Sequence, residues 1–108
     1  MHPMFVTLFI ETDDGPDGPV ISLAGELDLS NAADLEEVLD RVLPLPPATH
    51  PGRLTFDLGG LRFMDSSGIA LLLRSAGRVT AVSVARPSAI VRRLLEATGL
   101  AEVLHIEP

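Results

Sequence analysis

Cysteine is absent from these 108 residues, which excludes disulfides, thiolate metal sites and a cysteine nucleophile, and is compatible with a reducing compartment. Lysine is absent too, so all eight cations are arginines, and none precedes Arg41. The usual ammonium anchor of a phosphate-binding loop is therefore missing. Neither G-x-x-x-x-G-K-[ST] nor G-x-G-x-x-G occurs, so the chain is not expected to bind ATP by itself, and no cofactor is expected. No run approaches the roughly 20 apolar residues of a membrane span. Met1-His2-Pro3-Met4 has neither the basic start nor the cleavable apolar segment of a signal peptide. The expectation is a cytoplasmic protein without membrane insertion.

What is present is acid and aliphatic. The formal net charge is −7, which argues against nucleic acid as the main partner, because phosphate binding needs clustered cations. Glu11, Asp13, Asp14, Asp17, Glu26, Asp28, Asp34, Glu36, Glu37 and Asp40 crowd the first forty residues. Such an asymmetry steers a basic protein partner. It serves equally to keep a small apolar protein soluble. A hydrophobic content of 46% over this length suffices for one core between two layers, so residues 1–108 are read as one domain.

Phe5–Ile10 and Val20–Ala24 read as strands, joined by a Gly, Pro and Asp-rich turn over Asp13–Pro19. Ala32, Leu35, Val38, Leu39, Val42 and Leu43 recur at a helical period, with Asn31 as the expected N-cap and Asp34 in the first turn. The proline-rich segment Pro44–Gly52 cannot continue that helix and is read as a loop. A strand over Arg53–Leu58 leads through Phe63-Met64-Asp65-Ser66-Ser67-Gly68-Ile69 into an aliphatic helix that ends near Gly77. Val79–Ala85 is the next strand, and Arg86-Pro87-Ser88 opens a helix running to Gly99. A short strand over Val103–Ile106 closes the chain. The order ββαβαβαβ implies an α/β fold, a mixed and mostly parallel sheet with helices packed on it.

The strand-to-helix junction is the place where chemistry can sit. Ser66 or Ser67 falls at a helix N-cap, where free backbone N–H groups and the helix dipole favour an anion. Read without context, these hydroxyls are ordinary caps, Asp65 a turn or capping carboxylate, and Gly68 a residue that lets helix and strand approach closely. His2, His50 and His105 are far apart and lie in no metal-ligand pattern, so no metal is expected. Asp28, Asp57 and Asp65 could be read as a magnesium or phosphoryl-acceptor set, but such a site normally needs a lysine. A serine hydrolase using Ser66 lacks the G-x-S-x-G context and any accompanying base.

Leu61-Arg62-Phe63-Met64-Asp65-Ser66-Ser67-Gly68-Ile69 closely resembles the signature of the STAS domains of bacterial anti-sigma factor antagonists. Gly25-Glu26-Leu27-Asp28 resembles that family's G-E-L-D turn, Leu54–Leu58 its central strand, and Arg86-Pro87-Ser88 with Val91, Arg93, Leu94, Gly99 and Leu100 its last helix segment. The resemblance implies a non-enzymatic antagonist that binds an anti-sigma factor with serine kinase activity and releases the sigma factor. It implies Ser66 as the phosphorylation site, reversed by a phosphatase, and Asp28, Asp65, Ser66, Ser67, Gly68 and Ile69 as partner contacts. The chain departs from the pattern in its long Pro44–Gly52 loop and in ending at Pro108, soon after the last strand. Arg62 beside the motif is either a specificity residue or a solvated side chain. The rival within the same resemblance is a STAS module serving as an interaction subunit of a transporter or another signalling complex.

Overall fold

The computed structural model describes residues 7–43 and 50–107. Phe5, Val6, His2 and most of the proline loop lie outside the described residues. The elements are β1 (Leu8–Gly15), β2 (Gly18–Leu27), α1 (Ala32–Val42), β3 (His50–Met64), α2 (Ser66–Ala76), β4 (Val79–Ala85), α3 (Ala89–Ala97), a 3-10 turn (Leu100–Glu102) and β5 (His105–Ile106). This is the ββαβαβαβ order expected. The five strands stand in sequence order, β1 antiparallel to β2 and every later pair parallel.

Each parallel step moves the same way across the sheet, and a right-handed crossover at every step places α1, α2 and α3 on one face. Burial agrees. Ile21, Leu23, Leu54, Phe56 and Leu58 are at most 2% exposed, whereas the alternate residues Ser22, Ala24, Thr55 and Asp57 are only half-buried. Leu35, Leu39, Leu71, Leu72, Val91 and Leu95 close the core from the helical side.

Several boundaries differ from the sequence expectations. The hairpin turn is not Asp13–Pro19 but the two residues between the paired Gly15 and Gly18, because the ladder continues through Asp13 and Asp14. Strand β3 does not stop at Leu58. Ala24 pairs with Gly60, Gly25 with Leu61, Glu26 with Phe63 and Leu27 with Met64, past two register shifts that break the alternation of side chains. The last helix begins after Ser88, whose Oγ accepts from the Val91 N–H at 3.2 Å, and ends at Ala97. Val103 and Leu104 are not in a strand, since their N–H groups bond back to the Leu100 carbonyl. The expected C-cap Gly77 does hold that position, but with a right-handed φ of −81.

Candidate functional site

Every β-to-α connection lies at the carboxyl ends of the strands, where ligands and partners meet open α/β sheets. Two of these connections are tied together. The β2–α1 turn is entered through Gly25, which has φ +98; a Cβ there would lie 2.1 Å from the Thr7 carbonyl oxygen, so only glycine fits. Asn31 then braces the turn from inside. Its Oδ1 accepts from the Asp28 N–H at 2.9 Å, and its Nδ2 donates to the Glu26 carbonyl at 2.9 Å and to Thr7 Oγ1 at 3.1 Å. Asn31 therefore stands at the N-cap position of α1 without a side-chain cap bond, contrary to the capping role expected of it. Its amide is consumed by the turn.

Asp65 joins this turn to α2. The Asp65 N–H donates to the Leu27 carbonyl at 3.1 Å. Its Oδ2 accepts from the Leu29 N–H at 3.2 Å, and its Oδ1 accepts from the N–H of Ser67 at 2.8 Å and of Gly68 at 3.4 Å. The N-cap is thus Asp65, not Ser66 or Ser67. A carboxylate outcompetes a neighbouring hydroxyl there because it accepts from two free N–H groups and meets the positive end of the helix dipole.

With Asp65 as cap, Ser66 becomes the first helical residue and is exposed, and its hydroxyl makes no hydrogen bond among the described residues. Ser67 and Ile69 are half-buried. Gly68 is buried: a Cβ would lie 2.6 Å from Met64 Cγ and 2.7 Å from Leu27 Cδ2, so glycine lets α2 start directly on the strands. The structure therefore brings Asp65, Ser66, Ser67, Gly68 and Ile69 to one helix start with the Asp28 turn beside it. The Asp28 carboxylate is engaged within its own turn, its Oδ1 accepting from Ser30 N at 2.9 Å and Ser30 Oγ at 2.5 Å. It makes no hydrogen bond to Ser66.

Asp28, Asp57 and Asp65 are separately engaged rather than gathered at one site. Asp57 is held by Arg86, Nε to Oδ1 at 3.1 Å and Nη2 to Oδ2 at 2.8 Å. The Arg86 hydrogen bonds hold the Asp57 carboxyl below the usual carboxylate range, against the opposing effect of partial burial, and the same pair raises the Arg86 guanidinium. Arg86 adopts φ 53, the left-handed region that side chains rarely enter. Among the described residues no cluster of three or more His, Asp or Glu side chains is arranged for a metal. Two surface hollows among the described residues are lined by the Thr12–Pro19 hairpin and by Asp17, Gly52, Arg53 and Thr55. Ser66 lines neither of them and is itself exposed.

Sequence reasoning missed Leu29, 80% exposed beside this junction, and the bracing role of Asn31. An apolar residue between Asp28 and Ser30 was the available signal for the first. It also missed the Asp57–Arg86 pair, whose members are 29 residues apart in the chain. No periodicity reports such a contact.

The family model described as "Mlab, STAS domain" matches residues 10–106. The anti-sigma-F factor antagonist RsfB of Mycobacterium tuberculosis is 30% identical over 90 residues, 81% of this chain and 70% of that protein. The crystal structure of an anti-sigma factor antagonist from Mycobacterium paratuberculosis superposes with a TM-score of 0.80 at 26% identity, covering 94% of this chain and 86% of the other. The anti-sigma factor antagonist SpoIIAA in its unphosphorylated form shares the fold, with a TM-score of 0.68 at 19% identity over 93% of this chain and 88% of that one. The STAS-domain match across residues 10–106 and the 30% identity to RsfB over 81% of this chain place it in the family of STAS-domain anti-sigma factor antagonists.

Proposed function

We propose that this chain is a non-enzymatic, cytoplasmic antagonist of an anti-sigma factor that is itself a serine kinase. With Ser66 unmodified it binds that kinase and frees the sigma factor; phosphorylation of Ser66 ends the interaction, and a phosphatase restores it. The observation that carries the reading is the exposed, unbonded Ser66 hydroxyl at the first helical position, left free because Asp65 does the capping.

A phosphate there adds about −1.5 to −2 charges and three acceptor oxygens. The helix start tolerates it through its dipole. A surface made for a neutral hydroxyl would instead meet charge beside Asp65 and Asp28, and a few kcal/mol of repulsion and desolvation weakens binding by about two orders of magnitude or more. No change of fold is needed. The test is incubation with the purified kinase-type anti-sigma factor and ATP, followed by mass spectrometry of wild type and Ser66→Ala. Phosphate on Ser66 that vanishes in Ser66→Ala is expected; undiminished modification at another residue would sink the assignment.

A further inference from the structure

The helices pack on one face of the sheet, and among the described residues no helix covers the other. On that open face the strand pairing sets Phe9 opposite Ala24 and Ala24 opposite Gly60, and in the neighbouring rung Glu11 opposite Ser22 and Ser22 opposite Asp57. Strands lie about 4.8 Å apart, so about 10 Å separates Phe9 from Gly60 with only a methyl between them. A hollow of about 200 Å³ opens there, walled by Phe9 and Glu11 on one side and by the Asp57–Arg86 pair on the other, over Ala24 and Gly60. Sites for small organic ligands run to about 300–1,000 Å³. This one has room for a single side chain.

Pairing decides the sign of its charge. Arg86 gives Nε and Nη2 to the two oxygens of Asp57, and its guanidinium lies over Gly59, where a Cβ would come within 2.8 Å of Cζ. Those two charges answer each other. Glu11 is left over, exposed beside a Phe9 that is 59% exposed. Among the described residues the three ion pairs draw on Glu36, Asp40 and Asp57, so no acid of the β1–β2 hairpin is matched. With no arginine before Arg41, the hairpin has no cation of its own.

We infer that the helix-free face over β1, β2 and β3 is a docking surface, and that its occupant is a basic protein placing one arginine side chain in the hollow between Phe9 and the Asp57–Arg86 pair. A guanidinium stacks on an aromatic face and forks onto a carboxylate, which is what Phe9 and Glu11 offer side by side. The unmatched hairpin acids supply the long-range attraction for a basic surface. They also oppose a second copy of this chain, whose net charge is −7 and whose own hairpin would bring like charges together. The inference is independent of the Ser66 reading, because Ser66 opens a helix of the opposite face.

The experiment is an amide NMR titration of the full chain with the N-acetylated, C-amidated tripeptide Ala-Arg-Ala, and with the same peptide carrying norleucine or glutamate in place of arginine. Saturable shifts centred on Phe9, Glu11, Ala24 and Gly60 are expected with the arginine peptide. Glu11→Gln and Phe9→Leu should each weaken it about two- to fivefold, and Glu37→Gln, which removes an exposed acid on α1, should leave it within that of wild type. Thermal melts check the fold of each variant. Equal weakening by Glu37→Gln and Glu11→Gln would reduce the effect to bulk charge and overturn the site. Equal affinity for the norleucine peptide overturns the cationic occupant, and tighter binding of the glutamate peptide would assign the hollow to an anion held by Arg86. Absence of shifts at the hollow overturns the docking surface itself. A wild-type dimer in sedimentation that Phe9→Asp dissociates would give the face to a second copy and overturn the basic partner.

Discussion

Asp65 is the mechanical link of the candidate site, and its removal has a calculable cost. Asp65→Ala leaves the N–H groups of Ser67 and Gly68 without their cap, a loss of about 1 kcal/mol. It removes a negative charge from the helix start, about 0.3–1 kcal/mol at a half-exposed position, and the bond to Leu29 N, about 0.5–1.5 kcal/mol. Those three contributions share one carboxylate and do not add fully, so a loss of about 2 kcal/mol is expected. Asp65→Asn keeps an acceptor and a capping residue but no charge, and should lose about half as much. Urea unfolding measures the totals. Amide hydrogen exchange separates the contributions: Ser67 and Gly68 report the cap, and Leu29, 36 residues away in sequence, reports the tie to the β2–α1 turn. A loss under about 0.5 kcal/mol in Asp65→Ala, or unchanged exchange at Leu29, would refute the link.

Gly68→Ala gains about 1 kcal/mol of helix propensity but forces a methyl against Met64 and Leu27, an overpacking cost of about 1–3 kcal/mol. A melting temperature a few degrees lower, by roughly 4–8 °C per kcal/mol, is expected, and an unchanged or higher one would show that the approach is not tight. The Asp57–Arg86 pair predicts an acid-limb effect. The folded Asp57 carboxyl titrates below its unfolded value of 3.8, so its contribution is complete above about pH 5 and fades as pH falls through the folded value. Asp57→Asn should therefore unfold more easily than wild type near neutrality and lose that difference towards about pH 2, whereas a gap independent of pH would refute the pairing.

Much of this fold was legible because most of its strands and helices are strongly periodic. The strand-to-helix junction at Ser66 needed only the switch from period two to an aliphatic run. What escaped the sequence was choice among equivalent candidates. Asp65, Ser66 and Ser67 are all good capping residues, and a shift of one position decides which is free. Asn31 is a good cap by type but was claimed by Asp28, Glu26 and Thr7. The second half of β3 was hidden because Gly59, Gly60 and Arg62 interrupt its alternation; pairing to β2 carries it to Met64.

The sheet in sequence order also divides the molecule by task. Winding always in one direction sends every β-to-α connection to one end of the strands and every α-to-β connection to the other. The chain leaves α1 at the buried Leu43 and enters β3 at His50, so the proline-rich insertion is anchored at the end opposite Ser66. A graft, tag or fluorophore introduced between residues 43 and 50 is expected to leave the Ser66 end of the sheet as it is.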